Sequence, residues 1–139
     1  MNSLVGAQLA SVVFVRDYLQ LVFEPTDVGT PEAGVLRRPT KGGFGTLSAY
    51  VLPELETGGR LLKSGRPGYR DALVELIGRV VAQAGEDPAR LRIVFDSGVV
   101  ASVSLNAADL PDGAVESAML QLEDAAESWM VWRPGDRLG

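Results

Sequence analysis

The feature that most constrains this chain is a diverged copy of part of itself. Residues 4–24 overlay residues 76–96 without a gap, at an offset of 72 positions. Leu4, Gly6, Ala10, Leu19, Val22 and Phe23 meet Leu76, Gly78, Ala82, Leu91, Val94 and Phe95, six identities in 21 positions. Val5/Ile77, Leu9/Val81, Leu21/Ile93 and Glu24/Asp96 differ only conservatively. A repeat of this kind means that one structural unit is used twice, so the unit has to be argued before the whole.

Within the unit the pattern is that of strands. Residues 8–14 and 18–23 are rich in Val, Leu and aromatics, with Arg16-Asp17 between them as a turn, which predicts an antiparallel hairpin. Pro25 cannot supply a ladder hydrogen bond and ends the second strand. The second copy repeats the plan: a strand over 80–83, turn chemistry in Gly85-Glu86-Asp87-Pro88, a strand over 91–95, a Ser97-Gly98 loop and a third strand over 99–105. Its first-copy equivalent is expected over 47–52, after a Gly- and Pro-rich excursion over 25–46 that reads as a mobile loop. Residues 57–67 read as a second Gly-containing connection.

Residues 69–76 read as a helix, with Leu73, Leu76 and the adjoining Ile77 at helical spacing, Tyr69 on the same side, and Gly78 following as a stop. Residues 114–124 suit a helix on propensity. They equally suit a strand over 117–122 paired with 128–132, and the strand character of Trp129-Met130-Val131-Trp132 favours the hairpin. Residues 133–139 read as a frayed tail.

Composition removes whole classes of chemistry. The 139 residues contain no cysteine and no histidine. Thiolate nucleophiles, disulfides and cysteine zinc sites are excluded, and with them the commonest general base and metal ligand. No cofactor, metal ligand set or catalytic residue is predicted. No run of eighteen apolar residues suggests a membrane span, and the start of the chain lacks the basic region of a signal peptide, so a cytoplasmic location is expected.

The tempting motif Lys41-Gly42-Gly43-Phe44-Gly45-Thr46 has its lysine first and a strand after it, the reverse of a phosphate loop. The acids at 109–127 do not match calcium-loop spacing and read as solvated loops. Charge is spread unevenly. Residues 37–70 hold seven basic residues against two acids, whereas 93–132 hold seven acids and no base, in a chain of net charge −5. Such a basic cluster reads first as a pair of solvated loops and otherwise suits an acidic protein partner, while thin aromatic interleaving and the acidic whole make nucleic acid a poor fit. Arg37, Arg38, Lys41, Arg60, Lys63 and Arg66 are the candidate partner-binding residues. Trp129 and Trp132 point to opposite faces of one strand, so one fills the core while the other is free to anchor an interface, and Trp132 is taken as that anchor.

The run Leu76-Ile77-Gly78-Arg79-Val80-Val81, followed by Leu91-Arg92-Ile93-Val94-Phe95-Asp96-Ser97-Gly98, resembles a half-unit of small uncharacterised bacterial proteins of actinobacterial type. The resemblance covers 76–105 well and 4–24 weakly. It implies a duplicated β-meander and, since some such proteins are suspected immunity or accessory proteins of toxin systems, a partner-binding role. It carries over no catalytic residue.

The expectation is one mainly β (α+β) domain over 1–139: two duplicated antiparallel β-meander units at 4–53 and 76–105, a C-terminal hairpin, and one or two short helices. Val13, Leu19, Leu21, Phe23, Leu91, Ile93 and Phe95 are expected in the core. The expected function is a non-enzymatic protein-binding module, immunity-like or regulatory. The alternative is a small-molecule-binding protein or carboxylate-dependent enzyme with its site between the units. The apolar 117–132 hairpin also suggests a homodimer by edge pairing.

Overall fold

A computed structural model describes residues 1–27, 40–41, 44–122 and 128–134, without the side chains of Asp27, Thr40, Lys41 and Ser128. The expected mainly β architecture is what it shows. In chain order the elements are β1 (Gln8–Phe14), β2 (Leu19–Glu24), β3 (Thr26–Asp27), β4 (Thr40–Lys41), β5 (Gly45–Ala49), β6 (Glu54–Thr57), β7 (Arg60–Leu62), α1 (Tyr69–Glu75), β8 (Val81–Glu86), β9 (Arg90–Phe95), β10 (Val100–Ser104), β11 (Ala118–Leu122) and β12 (Ser128–Trp132). Short 3-10 turns occupy Asn2–Leu4 and Ala107–Asp109. Two antiparallel five-stranded sheets run β1-β2-β5-β11-β12 and β7-β6-β10-β9-β8, while β3 pairs with β4 apart from them. No described helix is long and apolar enough to cross a membrane.

The sequence offset of 72 reappears in the backbone bonding. Gly6 N–H donates to the Val81 carbonyl at 2.9 Å, and Gly78 N–H donates to the Leu9 carbonyl at 2.8 Å. Leu9 N–H donates to Arg79 at 3.0 Å, and Val81 N–H to Ala7 at 2.8 Å. Adding the offset to one half turns each bond into the other. Gln8 and Val80, equivalent positions, bridge one another, so a local two-fold relation passes between them. Each unit also carries the same β-bulge, between Leu9 and Ser11 in β1 and between Val81 and Gln83 in β8.

The glycines at these junctions have φ of 91° at Gly6 and 90° at Gly78. An L residue is strained there. A Cβ on Gly78 would meet nothing within 4 Å, so the strain is the whole cost of adding one. Gly78→Ala is expected to destabilise the protein by about 1–2 kcal/mol. Urea unfolding measures this, and a D-alanine introduced at position 78 by chemical synthesis should restore the loss. A D-alanine protein as unstable as the L form would mean that packing, not backbone, governs the site.

The hairpins that follow the two meanders are exchanged. β6 and β7 follow the first meander in sequence, yet β6 pairs with β10 of the second, Leu55 opposite Ala101. β11 and β12 follow the second, yet β11 pairs with β5 of the first, Leu120 opposite Leu47. The inward rows of both sheets form one core, with Leu9, Phe23, Leu47, Leu55, Leu73, Phe95 and Leu120 at or below 1% exposure. α1 closes one side. Its Tyr69 is buried and donates its hydroxyl to the Pro53 carbonyl, and burial holds that phenol well above its ordinary pKa.

Several expectations are corrected. Val13 is 40% exposed rather than in the core. The bulge adds one residue to β1, so Val12 turns inward and Val13 outward. Gly85 and Glu86 belong to β8, and the turn is 87–89, held by Asp87, whose carboxylate accepts from Ala89 and Arg90 N–H. Those bonds lower the Asp87 pKa. Residues 57–67 are not all connection, because Gly58-Gly59, both at positive φ, turn β6 into β7. α1 ends at Glu75, and beyond it Leu76 is buried while Ile77 is exposed rather than packed on the helix's apolar side. β5 stops at Ala49 instead of reaching residue 52. Residues 135–139 of the expected tail, and 28–39 and 42–43 of the expected loop, lie outside the described residues.

Candidate interaction surfaces

The outer face of the first sheet is built from the alternate residues that the core leaves out. Cross-strand register sets them in two uncharged rows, Val13–Gln20–Ser48–Met119–Val131 and Ser11–Val22–Thr46–Gln121–Trp129, and a third at the β1–β2 end, Gln8–Glu24, whose acid accepts from the Gln8 amide. The rows of the second sheet's outer face include Arg92, Glu54 and Glu56. The two uncharged rows end on β12, an edge strand in which Trp129 is 53% and Val131 39% exposed. The sequence of β12 has no charge and no proline, the usual protections of a sheet edge.

Trp132 faces the other way. It is buried at 8% exposure, and its indole N–H donates to the Glu86 carboxylate on β8. The anchor-like tryptophan of this strand is therefore Trp129, and Trp132 ties the two sheets together. Opposite faces were legible from strand alternation. The choice between them was not, because it depends on Ala118 and Leu120 setting the inward side of the neighbouring strand.

The predicted basic cluster is only partly described. Arg37 and Arg38 lie outside the described residues, as does the side chain of Lys41. Arg60 opens β7, and Lys63 and Arg66 follow it, all three exposed. Lys63 lies 3.8 Å from the Glu54 carboxylate, a solvated and therefore weak pair. Trp132, in the other sheet's core-facing row, is not part of their surface.

A groove that sequence reasoning missed lies at one end of the molecule. One wall is the tight β1–β2 turn, closed by Val15 N–H donating to the Tyr18 carbonyl at 2.9 Å. The other is the connection from β10 to β11. That connection is braced by Ser104 donating to Asp109 at 2.6 Å and by Asn106 accepting from Ala108 N–H at 3.0 Å. Tyr50 and Val51 N–H both donate to the Ser117 carbonyl and fix its far end. Between the walls lie a hollow of about 660 Å³, bordered by Tyr18, Tyr50, Val115 and Glu116, and one of about 450 Å³, bordered by Leu52, Glu54, Lys63 and Asp109. Asp17, Tyr50 and Pro111 border both, making one trough. The Tyr18 and Tyr50 rings stand 5.2 Å apart at 43°. Partial burial and the negative field of Glu116 raise the Tyr50 pKa. The signal that could have found the groove is the run of tyrosines and acids at Asp17, Tyr18, Tyr50, Asp109, Asp112 and Glu116, between or beyond the strands.

No group of three or more acidic side chains able to hold a metal ion occurs among the described residues. No known family, curated protein or solved structure matches the chain.

Proposed function

We propose that this chain is a non-enzymatic protein-binding module, regulatory or immunity-like in role, made from a duplicated unit and working in a bacterial cytoplasm. The observation that carries the reading is the pair of uncharged rows on the outer face of the first sheet, ending on β12 with exposed Trp129 and Val131. An unprotected edge accepts a strand from a partner through main-chain hydrogen bonds, and an exposed tryptophan beside it supplies the anchor. The partner is another protein or a second copy of this chain. The exposed Arg60 and Arg66 offer a separate, electrostatic contribution.

Trp129→Glu is expected to abolish the complex while shifting the melting temperature by no more than a degree or two, since the side chain is half exposed. The check is affinity capture of the endogenous partner with wild-type and variant protein, alongside light scattering of the purified protein for self-association. A complex retained undiminished by Trp129→Glu and lost on reversing Arg60 and Arg66 would move the interface to the basic side.

The alternative, a small-molecule-binding protein or carboxylate-dependent enzyme, draws support from the groove. Its hollows are of ligand size and lie between first-unit residues and the connection leaving the second unit.

A further inference from the structure

The groove has a chemical bias that the sheet face lacks. Among the described residues, the larger hollow is bordered by Asp17, Asp112 and Glu116 and by no basic residue. Glu116 is held by Arg133 at 3.2 Å, but Asp17 and Asp112 have no ion-pair partner among the described residues. The continuation of the trough adds Asp109 and the paired Glu54–Lys63. Two tyrosine rings lie in the middle of this negative rim. A cation placed against a tyrosine face gains from the ring quadrupole, and more so when carboxylates surround it. A phosphate, a nucleic acid or an acidic peptide would meet repulsion along the whole larger hollow.

The walls are also set in advance. Hydrogen bonds within 104–109 and at Ser117 hold the connection before anything binds, so little ordering is required of the protein. Pro111, Val115 and Leu52 give the trough apolar stretches between its charges, and Val115 is 70% exposed. An elongated, shallow, joined pair of hollows matches a chain segment laid along it better than a compact molecule.

We propose that this groove binds an extended, arginine- or lysine-bearing segment of a partner protein, with one cationic side chain seated at Tyr18 and Tyr50 between Asp17, Asp112 and Glu116. The inference rests on the trough alone and holds whether or not the first sheet's outer face binds anything.

The test is a titration of the ¹⁵N-labelled full chain with a blocked peptide of alternating arginine and alanine. The control is the same peptide with each arginine replaced by uncharged citrulline. Shifts are expected at 16–18, 50–52 and 111–117, with binding about tenfold weaker for the citrulline peptide and weakening further as salt screens the carboxylates. Asp17→Asn combined with Asp112→Asn removes two exposed charges that make no ion pair within the fold, so the variant should melt like the wild type and bind about tenfold more weakly. Tyr50→Phe should bind nearly as wild type, because the ring face is kept. Equal affinity for both peptides, shifts confined to other surfaces, or an unaffected double variant would each overturn the proposal. So would displacement by free argininamide at the peptide's own concentration, which would make this a single-residue pocket. Trp129→Glu should leave the titration unchanged, which separates this site from the sheet face.

Discussion

Replacing Phe23 by Ala is expected to destabilise the protein by about 3–5 kcal/mol, and replacing Phe95 by about as much. The rings occupy positions related by the repeat offset and are 0% and 1% exposed. Each lies on its unit's second strand, opposite the residue that precedes the bulge, Leu9 for Phe23 and Val81 for Phe95. Their surroundings leave little room to collapse. Beside Phe23, across the ladder, a Cβ on Gly45 would already stand 3.0 Å from Leu122 and 3.1 Å from Leu4. A cavity opened there stays open, and its cost adds to the lost transfer free energy. Urea titration should show lower midpoints at unchanged slope. The two changes together approach the whole stability of an ordinary domain, so the double variant should be unfolded in buffer. A loss below about 2 kcal/mol at either site would mean that this part of the core is loosely packed.

Cutting the chain after Gly65 should leave two fragments that cannot fold apart but fold together. The cut falls in a stretch, 63–68, that is exposed throughout. It preserves both meanders. It separates β5 from β11 and β6 from β10, so each fragment keeps a three-stranded sheet with one face bare and a hairpin with nothing to pair. A two-stranded hairpin is marginal in water, and a lone three-stranded sheet keeps its apolar side wet. Each fragment alone should show no cooperative thermal transition. An equimolar mixture should recover the β spectrum and a melting transition, with 1:1 stoichiometry by light scattering. A cooperative melt in either fragment alone would show that the exchange of hairpins is not needed for folding.

The repeat was visible in the sequence because its identities fall where physics allows few substitutes. Gly6 and Gly78 sit at positive φ, and Leu4, Leu19 and Phe23 are buried with their counterparts. The C-terminal hairpin was legible for a similar reason, since the four consecutive strand-forming residues Trp129-Met130-Val131-Trp132 need a neighbour. Other features depended on a single residue of backbone. The bulge after Leu9 reverses inside and outside beyond it, and no side-chain pattern announces it. The Gly58-Gly59 turn is written in the sequence, flanked by Leu55 and Leu62, but a Gly-Gly pair beside Gly65 and Gly68 suits a longer loop equally well. The exchange of hairpins and the groove are tertiary facts. They follow from which sheet each hairpin joins, and the local propensity of 54–62 or 118–132 is satisfied by either sheet.

That exchange sets the order in which the protein can be made. On a ribosome, β5 emerges with β2 on one side and nothing on the other. Its second neighbour is encoded far downstream, with Ala49 waiting for Ala118. At the usual pace of synthesis the gap is roughly 3–14 s. During that time the nascent chain carries a half-built sheet whose open edge and inward row of Leu47 and Ala49 invite pairing with other chains. Dense polysomes would bring such edges close together. The yield of folded protein should therefore rise with slower initiation, which spaces the ribosomes, more than with any change in the finished fold.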